Sequence, residues 1–328
     1  MTDEVGCWSV GTVWRGHPLL TARLRLRPFT EADVPGLARL LDDWEVVRLT
    51  ANIPHPYREE DARSFLETMA AKCAARTGVV LAMERTLDRQ VIGAVGFGTE
   101  HDGTPEIGYW VGREHWGEGY ATEAVRRLLR HLFADLGYPR AWASAHPDNA
   151  ASRRVLEKAG LARAGHEMVG MPARGQSVIA PIYAVSADDW KAAHAARPTV
   201  LVTAAALIDP DNRVLMASRP PGKMMSGLWE FPGGKVHAGE TPETALVREL
   251  AEELGVDVRA SCLAPMGFAS HDYDTFHLLM PLYAVRQWQG NPEPREGQGL
   301  RWVRPSRMTD LPMPPADIPL VALLRDWL

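Results

Sequence analysis

The chain of 328 residues contains only three cysteines, Cys7, Cys73 and Cys262, and they stand far apart. An odd count with no C-x-x-C spacing argues against a disulfide framework or a cysteine-built metal site. It predicts ordinary reduced thiols. Long hydrophobic runs are missing too. No stretch approaches the roughly 18 apolar residues of a membrane span, so no membrane partner is expected. The opening MTDEVGCWSVG carries acidic residues and no long apolar centre, so it does not read as a signal peptide. A cytoplasmic protein is the expectation. Excess positive charge is also lacking. Residues 1–196 hold 23 Lys+Arg against 25 Asp+Glu, and residues 197–328 hold 13 against 16. Neither half has the basic footprint of a protein that binds duplex nucleic acid, so any such link runs through free nucleotides. No internal repeat is visible.

What is present is enough apolar material for two cores. With 46% hydrophobic residues, the chain is too long for one average domain. A polar, Ala-rich stretch, SADDWKAAHAARP at 186–198, reads as the boundary. The expected division is an extension over 1–18, a domain over 19–190, a linker over 191–197 and a domain over 198–328. In the first half a strand is expected at RLRLRPF and helices at EADVPGLARLLDD and EEDARSFLETMAAKCAA. Strands follow at VVLAMERT, VIGAVGFG and EIGYWVG. A helix is expected over 121–136, a strand at RAWASA and a short helix over 150–159. This is a mixed α/β pattern with a central sheet. TVLVTAAALID and RVLMASR begin the second half as strands.

GETPETALVRELAEELGV, residues 239–256, poses a problem. Thr241 suits an N-cap, Pro242 the first helical position and Gly255 a C-terminal stop, which predicts a helix over 242–254. Leu246, Leu250 and Leu254 form its apolar stripe. At about 100° per residue, Glu249, Glu252 and Glu253 share about a third of the circumference, where like charges repel. A solvated acidic face is the ordinary explanation. A cation at that edge turns repulsion into coordination, and Mg²⁺ suits hard carboxylate oxygens and phosphate together. Upstream, Gly233 and Gly234 allow close backbone approach.

From Gly234 to Val256 the residues follow G-x5-E-x7-R-E-U-x-E-E-x-G-U, with U aliphatic. Gly234, Glu240, Arg248, Glu249, Leu250, Glu252, Glu253, Gly255 and Val256 fill it without departure. At roughly 7% for each single-residue position, chance supplies such a match about once in 10⁸ starts. The segment resembles the Nudix box, and residues 198–328 look most like the MutT branch of that family. The resemblance implies an α/β/α sandwich and a Mg²⁺- or Mn²⁺-dependent pyrophosphohydrolase of nucleoside triphosphates. In it Glu249, Glu252, Glu253, Glu296 and the carbonyl of Gly233 hold metal, and Glu249 or Glu296 serves the chemistry. Arg248 orients a carboxylate with Glu240, and Gly234 and Gly255 support the box. Arg219 and Phe231 touch the nucleotide. Asp317, in LPMPPADIPL, takes the place of a base-reading Asn, which points to an oxidised purine such as 8-oxo-dGTP. Its carboxylate would equally take the amino group of cytosine, so a (d)CTP-type or broad (d)NTP hydrolase is the alternative. Asp317 also suits a helix N-cap.

In the first half, EIGYWVGREHWGEGYATEAVRRLLRHLF places Gly117 and Gly119 in a loop before a helix, a site for anions. HPDNAASRRVLEKAGL follows. With the opening LRLRPFTEADVPGLARLL, residues 19–190 resemble the GNAT N-acetyltransferase superfamily, in its ribosomal-protein N-acetyltransferase branch. An α+β fold with a mixed central sheet and direct acyl transfer from acetyl-CoA are implied. Backbone around Trp116, Gly117, Gly119, Tyr120 and Ala121 would hold the pyrophosphate. Trp116 departs from the Q/R of the family signature. Asn149 would touch the pantetheine arm and Ser152 protonate the leaving thiolate. Glu106 would act as base or water relay. The amine acceptor is open. A non-catalytic acetyl-CoA sensor is the other reading of this half.

Overall fold

The structure, a computed structural model, describes residues 18–99, 102–195, 197–220, 225–273 and 275–328. Contacts divide the chain into two units, Met1–Ala196 and Arg197–Leu328.

The first unit is built on eight strands: β1 (Leu19–Leu20), β2 (Leu24–Pro28), β3 (Gly78–Arg85), β4 (Val91–Gly98), β5 (Glu106–Val111), β6 (Arg140–Ser144), β7 (Ala162–Met171) and β8 (Gln176–Ser186). Its helices are α1 (Val34–Leu41), α2 (Trp44–Val47), α3 (Glu59–Ala74), α4 (Tyr120–Arg130), α5 (Ala150–Lys158) and α6 (Ala187–Ala195). The sheet order is β1-β2-β3-β4-β5-β6-β8-β7. The alternation of LRLRP works as period-two burial predicts. Leu24 and Leu26 are fully buried, while Arg25 and Arg27 turn to the opposite face and meet Glu84. Helix α4 covers the sheet with Ala124, Val125, Leu128 and Leu129.

One pairing positions the site. β5 and β6 run parallel and pair only where Glu106 faces Trp142. The other neighbouring strands of this sheet pair antiparallel. Beyond Glu106 the two strands separate, and the sheet opens into a cleft.

Several expectations need correction. The helix over 31–43 is a 3-10 turn, Glu31–Asp33, followed by α1, with Pro35 in the first turn of the new helix. The helix over 121–136 begins one residue earlier and passes at His131–Asp135 into a π-helical turn. The stretch read as linker is helical through Ala195. Trp190 of α6 is buried there, its ring 5.6 Å from that of Phe133. Cys73, read as a reduced thiol, is disulfide-bonded, whereas Cys262 is free. Of the extension expected over 1–18, residues 1–17 lie outside the described residues.

The second unit has two sheets. β9 (Thr199–Leu207), β10 (Val214–Ser218), β11 (Trp229–Glu230), β12 (Gly233–Lys235), β13 (Ala264–Asp272), β14 (His277–Val285) and β15 (Leu300–Val303) supply the strands. They order as β12-β9-β14-β13 and β11-β10-β15. β9 and β14 pair in parallel, which makes the larger sheet mixed. Helix α7 (Pro242–Leu254) packs on β9 and β12, and α8 (Ile318–Trp327) on β13. Leu246, Leu250 and Leu254 are fully buried against Ala205, Leu207 and Val285. Among the described residues no helix is long and apolar enough to cross a membrane.

Candidate active sites

Helix α7 presents its acidic edge as the local rules require. The Thr241 hydroxyl accepts from the Thr244 N–H at 3.2 Å, Pro242 opens the helix, and Gly255 closes it at φ +70°. Opposite the edge, β12 brings Gly233 and Gly234 close. A Cβ at Gly234 would fall onto the Glu249 carboxylate and displace it. The N–H of Gly233 points at Glu253 Oε2, 3.4 Å away.

Arg248 organises the carboxylates. It donates to both oxygens of Glu240 at 2.9 Å, to Glu249 at 2.9 Å and to Glu252 at 3.2 Å. The fork matches a carboxylate in two parallel bonds. Those bonds, chiefly, hold the Glu240 carboxyl down at about 2, with help from the His237 N–H. Glu253 behaves oppositely. Burial pushes its carboxyl up to about 7, and the charges of Glu230, Glu249 and Glu296 push the same way. Negative charge thus surrounds Glu253 on the wall of a pocket of about 500 Å³.

Glu230, Glu249, Glu253, Glu296 and Gly233 line that pocket together with Arg219, Phe231 and Asp317. Glu252 is not among its lining residues; its side chain is 58% exposed and engaged by Arg248. Among the described residues no group of three or more His, Cys, Asp or Glu side chains converges as a metal-binding set. Of the expected ligands, Glu249 and Glu252 are paired with Arg248. The donor chemistry still fits a hard divalent cation: carboxylate oxygens, one backbone carbonyl and a mutual repulsion that such an ion would relieve.

Asp317, on the same pocket, is buried, and its Oδ1 accepts from the Phe231 N–H at 3.2 Å. Asp317 occupies the N-cap position of α8 but makes no side-chain capping bond. The helix-cap role is thus not what its carboxylate does. Burial, and after it the charge of Glu230, raises the Asp317 carboxyl well above the usual range. Arg219 binds Glu230 at 2.6 Å, and its buried Nε has no partner among the described residues.

Sequence reasoning missed Glu230 and Gln298. Gln298 is buried; its amide donates to the Glu253 carbonyl at 2.8 Å and accepts from the Glu296 N–H at 2.7 Å. It ties the loop carrying Glu296 to the end of α7. Glu230 sits one residue before Phe231 in a two-residue strand, too short to show alternation.

The cleft of the first unit has a volume of about 400 Å³. Gly119, at φ +85°, is the N-cap of α4, and Gly117 is at φ +81°. Only glycine takes such angles without strain. Ala121 lies in the first turn. Arg23 steadies the loop: it donates to the Glu118 carbonyl at 3.0 Å, pairs with buried Glu123 at 2.7 Å and lies over the Tyr120 ring at 4.4 Å. Trp116 is half exposed and donates to the Val111 carbonyl at 2.7 Å. Asn149 caps α5, its Oδ1 accepting from the Ser152 N–H at 2.9 Å. Ser152 Oγ lies 2.8 Å from the Tyr109 hydroxyl, whose proton burial holds more tightly than in a free phenol. Glu106, at the point where β5 and β6 part, accepts from Ser144 Oγ at 3.3 Å. Glu106, Asn149 and Ser152 all line the cleft. Tyr109 and Ser144 were not foreseen, since nothing in a strand sequence says where two parallel neighbours separate.

Residues 23–162 match the family described as "Acetyltransferase (GNAT) domain", and residues 203–323 the family described as "NUDIX domain". A protein of Escherichia coli (strain K12) described as "CTP pyrophosphohydrolase" is 40% identical over 119 residues, which is 36% of this chain and 85% of that protein. The "8-oxo-dGTP diphosphatase" of Proteus vulgaris is 38% identical over 96 residues, 29% of this chain and 84% of its own. For the first unit, the "Uncharacterized N-acetyltransferase YoaA" of Bacillus subtilis (strain 168) is 32% identical over 151 residues, 45% of this chain and 85% of that one.

Proposed function

Since the chain belongs to the GNAT acetyltransferases through its first unit and to the Nudix hydrolases through its second, we propose that it is a bifunctional enzyme. Its second unit cleaves a (deoxy)nucleoside triphosphate to the monophosphate and pyrophosphate. The observation that carries this is the pocket itself: Glu230, Glu249, Glu253 and Glu296 line one cavity together with buried Asp317. Gly233, Glu249, Glu252, Glu253 and Glu296 are the residues that would hold Mg²⁺ or Mn²⁺. Such an ion neutralises phosphate charge and lowers the pKa of water. Arg248 keeps Glu249 aimed across Gly234, and Glu249 or Glu296 takes the proton of the attacking water. Arg219 meets the nucleotide, Phe231 walls the base, and Asp317 reads its edge.

For the base, an oxidised purine such as 8-oxo-dGTP is the first reading. The second, (d)CTP, is favoured by Asp317 and by the description of the E. coli relative as a CTP pyrophosphohydrolase. Kinetics with 8-oxo-dGTP, dGTP, dCTP and CTP separate the two.

In the first unit the same reasoning gives acetyl transfer from acetyl-CoA to an amine. The backbone at Gly117–Ala121 cradles the pyrophosphate, Glu106 accepts the amine proton, and Ser152, paired with Tyr109, returns one to the thiolate. Calorimetry with acetyl-CoA tests the cradle, and release of the CoA thiol tests turnover. Cytoplasmic residence belongs to the same reading, because both substrates are found there.

A further inference from the structure

A buried hydroxyl stands unpartnered beside the carboxylates of the second unit. Thr203 on β9 is fully buried, and its Oγ1 makes no hydrogen bond among the described residues. Buried hydroxyls nearly always find a partner, and one left alone destabilises the fold. Valine fills the same space without that cost, which points to a use for the hydroxyl.

Two neighbours show which way the side chain faces. Alternate residues of a strand share a face. Ala205 and Leu207, which follow Thr203 on its face of β9, pack with Leu246, Leu250 and Leu254 of α7. Directly opposite residues of an antiparallel pair also share a face. Thr203 stands opposite Gly234 of β12, and a Cβ at Gly234 would fall onto the Glu249 carboxylate. The face of β9 that meets the leucine stripe of α7 at Ala205 and Leu207 therefore turns Thr203 toward the acidic edge. Thr203, Glu249 and Glu253 line the same cavity.

We propose that Thr203 is a positioning residue for Glu249: its hydroxyl donates to the Glu249 carboxylate when that group turns from Arg248 toward a cation. The inference rests on the hydrolase reading above. Arg248 donates to Glu249 Oε1 at 2.9 Å. A guanidinium and a metal ion are both positive and compete for the same oxygens. A neutral donor on β9 steadies the carboxylate without that competition, since its two oxygens have lone pairs for a donor and a cation together. Thr203 acts through Glu249 and needs no contact with the nucleotide.

The test uses the full chain, with Mn²⁺ alone as the probe and no nucleotide. Thr203→Val removes the hydroxyl and keeps the shape, whereas Thr203→Ser keeps the hydroxyl. Thr203→Val should weaken Mn²⁺ binding in calorimetry by about tenfold. Its metal-free melting temperature should be no lower than the parent's, because an unpartnered polar group has gone. Thr203→Ser should retain most of the parent's affinity. A packing role would instead lower melting temperature and affinity together. Unchanged affinity in Thr203→Val, an equal loss in Thr203→Ser, or a lower metal-free melting temperature in Thr203→Val overturns the inference alone. A parent that binds no Mn²⁺ overturns the reading of the site, and the inference with it.

Discussion

Glu249 is held by two independent constraints. Arg248 grips one of its oxygens at 2.9 Å, and the missing side chain of Gly234 leaves its carboxylate room. Glu249→Gln keeps the shape and removes the charge. Hydrolysis should fall by at least about 10²-fold with the melting temperature little changed; activity within a few-fold of the parent would show that Glu249 is dispensable. Glu253 makes a prediction about pH. Its folded carboxyl titrates near 7, above the ordinary 4.5. Between those values the folded state binds more protons than the unfolded one, so stability falls as pH rises from about 4.5 through about 7. Thermal melts in chelator over pH 5–8 should show that decline, and Glu253→Gln should flatten it. Equal slopes for the two proteins would contradict the burial and repulsion assigned to Glu253. The role proposed for Asp317 is selection of the base, not chemistry. Asp317→Asn preserves the acceptor for the Phe231 N–H. It should shift the kcat/KM ratio between 8-oxo-dGTP and dCTP by about tenfold. A uniform loss across nucleotides would make it a structural residue.

Helix α7 was legible end to end, because its cap, its Pro, its leucine stripe and its Gly act within one segment. The same holds for the loop from Gly117 to Gly119 and the start of α4. Elements defined by distant partners were not legible. The β7–β8 hairpin has a first strand exposed along nearly its whole length, so no burial alternation marks it. The separation of β5 from β6, which places Glu106, Ser144 and Tyr109 together, is a property of two strands and neither one's sequence. The link from Gln298 to Glu253 spans 45 residues and leaves no local pattern. Its loss should nevertheless matter. Gln298→Ala frees the loop of Glu296 and should cost about 10- to 100-fold in hydrolysis or in Mg²⁺ affinity. A parent-like titration with Mg²⁺ would show that the loop holds itself.

At the scale of the whole chain, composition pointed to two domains, and contacts divide the molecule between Ala196 and Arg197. Every residue assigned to hydrolysis lies in Arg197–Leu328, so that segment alone should fold and hydrolyse nucleotides with the parent's preference. An inactive fragment from an active parent would mean that the first unit completes the second. The most direct measurement is product analysis with the full chain, Mg²⁺ and a panel of normal and oxidised nucleoside triphosphates, with Glu249→Gln alongside. The expected products are monophosphate and pyrophosphate in equal amounts, formed only with metal and largely lost in the variant. Release of orthophosphate, or turnover that survives Glu249→Gln, would contradict the site described.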